Sequence, residues 1–333
     1  MHARRSAALL ALITLLIAGV PRARAEAPGS APSVRLMAMG DVMLARSIGR
    51  RIVADGPLSP WTRVMGYLDQ ADIAVANLEC TISWRGTPWA KRHTFRAPPR
   101  AADSLVAAGI DVVSLANNHA LDYGVTAFKD TLDLLDERGV AHVGGGRSRL
   151  DAHAPVIVER NGLRIAFMGY ILPNSGPQPW FPPQWAASQS RPGLAIGTPQ
   201  LVAAEIAAIR PSVQVVIVIF HGGLEYRARP SSQVRDFTRA AVNAGAALVL
   251  GHHPHILQGY HHSGGTLIAY SLGNFVFDYF TGRPNDSAIL DVTLTADGVA
   301  SLGWIPIVIE RGFPRPAVGA EVGRILARLP ELP

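Results

Sequence analysis

The sequence predicts an α/β sandwich with helices on its outer faces. Short apolar runs alternate with helical patterns through most of the chain. The last third turns β-rich, with Ser263-Gly264-Gly265 and Asp297-Gly298 as turns. Polar residues able to carry chemistry fall where the apolar runs end.

Val34–Met39 reads as the first strand, followed by Gly40-Asp41 and a helix near Leu44–Ala54. Trp61–Gln70 reads as a helix, Ile73–Asn77 as a strand, and Arg85–Pro99 as a basic loop carrying Trp89 and Phe95. Ala101–Ala108 is a predicted helix, Asp111–Leu115 a strand, and Val125–Arg138 a helix of good periodicity. Val156–Glu159 and Leu163–Gly169 form a predicted hairpin through Asn161-Gly162. Leu172–Thr198 has no periodicity and holds six prolines with Trp180, Phe181 and Trp185. A loop of that length reads as a lid or rim over a site. Pro199–Arg210 and Ser231–Ala244 are predicted helices around the very apolar strand Val213–Phe220. Ala246–Leu250, Leu257–His261, Thr266–Tyr270, Ala288–Thr295 and Val299–Ile309 read as strands, and Ala317–Leu329 as a closing helix.

Of 333 residues, 48% are apolar and 17% charged, which describes a chain with a sizeable core. Residues 1–25 read as a secretory signal: Arg4-Arg5, an apolar stretch from Ala7 to Val20, then Ala23-Arg24-Ala25. The alternative is an uncleaved membrane anchor. Removing the four arginines of that segment lowers the formal net charge from +6 to +2, which gives a nucleic-acid partner little support. A single cysteine, Cys80, excludes an internal disulfide framework and reads as a small buried residue. Residues 26–33 form a linker, and 34–329 are expected to be a single domain, exported to the periplasm or cell envelope.

Gly251-His252-His253-Pro254-His255 follows a predicted strand. Imidazole is a strong ligand for zinc, iron and manganese. If the segment is extended, His253 and His255 face one side. Asp41, Asn77, Glu79, Asn117, Asn118, His119 and His221 also follow predicted strands. Each has a plainer reading: Asp41 could cap the next helix, Asn118 form a turn, His221 sit in a tight turn beside Gly222-Gly223. Jointly, a carboxylate, amide and imidazole set suits Mn²⁺, Fe or Zn²⁺, and could hold two ions. Asp122, three residues after His119, either orients that imidazole or caps the following helix. Arg46 either meets a substrate anion or is solvated. The basic loop with Arg85, Lys91, Arg92, His93, Arg96 and Arg100 could attract a polyanion.

Six motifs in order carry a resemblance. They are Gly40-Asp41-Val42-Met43-Leu44, Asn77-Leu78-Glu79, Leu115 to Gly124, His221-Gly222-Gly223, Gly251 to His255, and Tyr270 to Phe275. From about Val34 to about Glu310 the chain resembles the CapA, or poly-γ-glutamate synthesis, family, which is related to calcineurin-like metallophosphoesterases. The resemblance implies a two-sheet β-sandwich flanked by helices. It implies Asp41, Glu79, Asn118, His221, His253 and His255 as ligands of two divalent ions, with Glu79 bridging. It implies His119 as the histidine that meets substrate phosphate. Phosphoesterases usually carry a histidine where this chain has Met43, and a thioether is a poor partner for a hard ion. Two functions follow as expectations. One is metal-assisted hydrolysis of a phosphoester or other anionic substrate, with Arg46 and Arg92 on the substrate. The other is a non-catalytic metal-containing accessory for capsule or polyglutamate export, alongside membrane-bound ligase and export subunits.

Overall fold

The computed structural model describes residues 31–173 and 181–333. The expected signal segment lies outside the described residues, as do residues 174–180 of the proline-rich stretch. Two sheets stack face to face. The first has eight strands, ordered Phe313–Pro316, Gly298–Glu310, Asp286–Thr295, Val34–Val42, Ile73–Leu78, Val112–Ser114 and Ala141–Val143, with Asn274–Val276 also pairing with Val34–Val42. The second has six, ordered Tyr260–Ser263, Thr266–Ala269, Leu248–His252, Val215–His221, Leu163–Ile171 and Val156–Arg160.

The near-continuous apolar runs are explained by burial on both faces. In Val215–His221, the residues Val215, Ile217 and Ile219 enter the core between the sheets. The alternate residues Val216, Val218 and Phe220 pack outward against Val202, Ile206, Val234 and Phe237. These belong to the helices Pro199–Ile209 and Ser232–Asn243. The first strand divides the same way. Leu36 and Ala38 face the other sheet, while Met37 and Met39 face Ile48, Leu105 and Phe128 under the opposite helices. The result is the predicted helix–sheet–sheet–helix sandwich. The two outer helices on the second sheet start on sequence-encoded caps: Thr198 Oγ1 accepts from Leu201 N at 3.2 Å and Ser231 Oγ from Val234 N at 3.3 Å. The Asn161-Gly162 hairpin turn has φ of 47° and 76°, both left-handed as a two-residue turn requires.

Three local readings are corrected. Trp61–Gln70 is mostly turns, with one helical turn at Met65–Leu68. Its backbone bonds, such as Val64 N to Trp61 O, include several that span three residues rather than four. The segment is instead anchored by the buried Trp61, whose indole N–H donates to Ser104 Oγ at 2.9 Å. The strand expected at Leu257–His261 runs Tyr260–Ser263, and the closing helix shortens to Ala320–Leu326. The three-residue strands Ala141–Val143 and Asn274–Val276 are too short to show periodicity.

The first strand passes the Asn274–Val276 segment at close range. A Cβ on Gly40 would lie 2.1 Å from Gly273 O and 2.8 Å from Leu272 O, both backbone atoms. Gly40→Ala must therefore push two strands apart beside Asp41. We expect a loss of about 3 kcal/mol and a thermal midpoint lower by about 6 °C, read by circular dichroism. A midpoint within about 1 °C of wild type would mean that this approach is not rigid.

Candidate metal centre

The parallel strands of both sheets end on the same side, as sites in α/β proteins do. Register places Asp41 beside Asn77 and Asn274 in the first sheet. It places His221 beside His252 in the second. Polar side chains from both sheets therefore meet where the core between the sheets stops. Asp41 lies within its strand, and the next helix is capped by Ala45 without a side-chain bond, so Asp41 does not act as a cap.

Asn77 organises the centre. Its amide donates to Asp41 Oδ1 at 2.9 Å and to Glu79 Oε2 at 3.1 Å. Its own Oδ1 accepts from Asn117 Nδ2 at 3.0 Å. Asn117 Oδ1 in turn accepts from the backbone N–H of His119 at 3.0 Å. One oxygen of each carboxylate is thus tied down. The others, Asp41 Oδ2 and Glu79 Oε1, are buried without a hydrogen-bond partner among the described residues.

Histidines face those oxygens. His252 Nδ1 donates to Asp41 Oδ1 at 3.0 Å. His255 Nδ1 donates to Asn274 Oδ1 at 2.9 Å and lies 3.3 Å from Asp41 Oδ2. This tautomer turns His255 Nε2 toward Glu79 Oε1, 3.7 Å away. Two lone-pair atoms that face each other at this range call for a cation or a proton between them. His221 Nε2 and Asn118 Oδ1 are hydrogen-bonded at 2.9 Å. The His253 ring lies 4.9 Å from that of His221 and 6.0 Å from that of His255. His253 and His255 do converge, but not through an extended segment: their φ values are 100° and 57°. A left-handed backbone at non-glycine residues is costly and clusters at functional sites.

Burial sets the protonation of the set. It would raise the Asp41 carboxyl, but the hydrogen bond from His252 and the adjacent His255 ring outweigh it and hold Asp41 well below the usual carboxylate range. Glu79 is pushed well above that range by burial and by the charge of Asp41. Burial, reinforced by His255, brings His253 down to about 3. His221 is held well below its ordinary value by burial and then by His253. Both imidazoles are therefore neutral and keep ligand lone pairs. For His255, burial is outweighed by Asp41, and its pKa is raised. Burial drives the Cys80 thiol up to about 12, which leaves it an inert part of the core.

Among the described residues, two groups of side chains have the spacing to hold a metal ion: Asp41, Glu79 and His221, and Glu225, His253 and His255. Within each, the candidate ligand atoms all lie within 4.8 Å of one another. The chemistry of the set fits divalent ions. It offers carboxylate oxygens without hydrogen bonds and neutral imidazoles in a buried space.

His119 stands at the edge of this space, stacked on Phe95 with 4.1 Å between ring centroids. Its Nδ1 bonds Asp122 Oδ2 at 2.7 Å, and its Nε2 lies 3.9 Å from Glu79 Oε1. Burial, then Lys91, holds His119 well below its ordinary value. Asp122 is not a helix cap; Tyr123 occupies that position. Asp122 instead accepts from His119 and from Phe95 N at 2.6 Å, and its other oxygen forms an ion pair with Lys91 Nζ at 2.5 Å. Burial pushes its carboxyl up to about 7, against the pull of Lys91.

The Arg46 guanidinium lies 4.3 Å over Phe95, on the stack that holds His119, and 3.6 Å from Asp278 Oδ1. Arg92 is exposed. The basic residue that the loop sends inward is Lys91, whose ammonium also lies 5.2 Å over Trp185. Trp185 is buried, and Trp89 meets it edge-on at 5.7 Å. The described part of the proline-rich segment thus forms a rim against the basic loop. Sequence reasoning did not foresee that Asn77 and Asn117 tie the carboxylates in place or that Lys91 turns inward onto Asp122, and it gave no role to Asn274 or Glu225. The nearest signals were the strand-end positions of the two first-named asparagines and the basic character of the loop.

Comparison with known proteins gives this geometry its setting. A family model described as "Bacterial capsule synthesis protein PGA_cap" matches residues 35–279. Capsule biosynthesis protein CapA of Bacillus anthracis is 30% identical over 323 residues, covering 94% of this chain and 77% of that protein. PGA biosynthesis protein CapA of Bacillus subtilis is 30% identical over 282 residues, covering 84% and 72%. A probable polyglutamine synthesis accessory protein of Mycobacterium tuberculosis is 31% identical over 301 residues, covering 82% and 76%. Among solved structures, TT1561 of Thermus thermophilus aligns over 79% of this chain and 99% of its own, with a TM-score of 0.41 and 10% identity. A family match over residues 35–279, a range that spans every strand end that builds the centre, with a relative 30% identical over most of both chains, decides the assignment: the chain belongs to the PGA_cap family of bacterial capsule synthesis proteins.

Proposed function

We propose that the protein is an exported, metal-dependent hydrolase of capsule or poly-γ-glutamate biosynthesis. Its substrate is a phosphoester or another anionic, polymer-related compound. The observation that carries this reading is the pair of buried oxygens, Asp41 Oδ2 and Glu79 Oε1, that lack hydrogen bonds and lie among imidazoles. Asp41, Glu79, His221, His253 and His255 would hold two divalent ions, with Asn118 joining as its bond to His221 opens. When bound, such ions polarise substrate oxygens and lower the pKa of water. His119, with its Nδ1–H fixed on Asp122, would present a bare Nε2 that takes up a proton from the attacking water and returns it to the substrate's leaving oxygen. Lys91 keeps Asp122 paired, and Arg46 meets the anionic substrate at the rim. The printed names of the relatives support the setting in capsule and polyglutamate synthesis.

The second reading, a metal-containing accessory without turnover beside membrane-bound ligase or export subunits, is favoured by Met43. Its sulfur accepts from Ala45 N at 3.2 Å within the apolar core, so it offers no ligand.

The test is metal content, melting and turnover on the purified protein. Two equivalents of Mn²⁺, Fe²⁺ or Zn²⁺ are expected per chain. Free metal at about 100 times its Kd stabilises by about 2.7 kcal/mol, a rise of about 5 °C that EDTA reverses. No retained metal and no shift with any of the three ions would end both readings. Metal without hydrolysis of phosphomonoester, phosphodiester or γ-glutamyl substrates would leave the accessory.

A further inference from the structure

The loop after His221 carries an acid that belongs to no motif considered so far. Glu225 follows Gly222-Gly223, and its carboxylate lies within 4.8 Å of ligand atoms of both His253 and His255. The loop is tied to the histidine turn along its length. Gly222 N donates to His252 O at 3.0 Å, and Tyr226 N donates to Pro254 O, between the two histidines, at 2.9 Å. Gln258 Nε2 donates to Arg227 O at 2.8 Å. Tyr226 has φ of 59°, the conformation that turns its N–H onto Pro254, and its ring lies 6.2 Å from that of His255. A non-glycine residue held left-handed, directly after an acid that faces two imidazoles, is strain placed at a site.

We propose that Glu225 is a metal ligand, brought by this loop from the solvent side, that completes a donor set with His253 and His255. The proposal rests on the metal-centre reading above. The two triads, Asp41–Glu79–His221 and Glu225–His253–His255, adjoin through His255 Nε2 and Glu79 Oε1 at 3.7 Å. Each then offers carboxylate and imidazole to one ion. Charge agrees: two divalent ions bring four positive charges, and Asp41 with Glu79 brings only two negative ones. Glu225 supplies a third, and an anionic substrate oxygen the remainder. A carboxylate exposed on one side can also leave and return as substrate enters, which the buried ligands cannot.

Isothermal titration with Mn²⁺, with metal content after gel filtration and electron paramagnetic resonance of the loaded protein, tests this without an activity assay. Wild type is expected to bind two equivalents and to show a spin-coupled manganese pair. Glu225→Ala and Glu225→Gln should weaken one equivalent by at least about tenfold and lose the coupled signal. The other equivalent should keep its affinity, and Glu225→Asp should fall between. Because Glu225 is exposed, melting in EDTA should not change in any variant, which separates ligand loss from misfolding. If Glu225→Ala binds two equivalents with wild-type affinity and coupling, Glu225 is not a ligand while the metal centre stands. If wild type binds no Mn²⁺ or Zn²⁺, the centre itself fails, and Glu225 with it.

Discussion

His119→Ala should lower kcat on whichever substrate the wild type hydrolyses by about 10²–10⁴-fold while leaving bound metal unchanged. The two effects separate because of where the ring sits. His119 is in neither candidate metal group. It reaches the centre through Nε2, 3.9 Å from Glu79 Oε1, while its other nitrogen is held by Asp122. Removing the imidazole also removes a partner of Phe95 and leaves Asp122 to Lys91 and Phe95 N–H. Some loss of stability is therefore expected, and His119→Asn, which fills more of the space, serves as the second variant. Rates should be compared at saturating metal and well below each melting midpoint. Equal rates for wild type and both variants under all metals would remove the hydrolase reading.

Glu79→Gln should melt higher than wild type in EDTA and gain nothing when metal is added. Burial and the neighbouring Asp41 charge both oppose ionisation of Glu79. A carboxyl raised in this way takes up a proton on folding. Its contribution is complete below the unfolded pKa and is lost as pH rises through the folded one. The gap in favour of the variant should therefore widen with rising pH in the absence of metal. The amide keeps an oxygen to accept from Asn77, so packing changes little. A gain of about 1–2 kcal/mol, or about 2–4 °C, is expected at neutral pH. Metal affinity should fall by at least about 100-fold. A variant that melts lower in EDTA and still responds to metal would show that Glu79 is structural.

The strand ends were legible because chemistry there interrupts apolar runs. Asp41, Glu79, His221 and the histidines after Leu250 stand out against Val34–Met39, Ile73–Ala76, Val213–Phe220 and Ala246–Leu250. The pairing of the sheets was less legible. Asn274 reaches Asp41 through a three-residue strand that no period can announce. The conformation of the histidine turn was not readable either: φ values of 100° and 57° follow from tertiary closure, not from the residues themselves. Lys91 was hidden among several basic neighbours. Which of them turns inward depends on Asp122 waiting beneath the loop. Arg92, next along, stays outside.

The hydrogen bond from His252 to Asp41 and the close approach of His255 to the same carboxylate join the first strand to a turn near the far end of the family match. No contact of this kind can form until both sheets have been laid down and docked. A cation held there would act late, after the folding barrier. It would then slow unfolding and leave the folding rate nearly untouched. So filled, the centre would be a clasp between the two sheets, and its occupancy would set how long the assembled molecule lasts rather than how fast it is made.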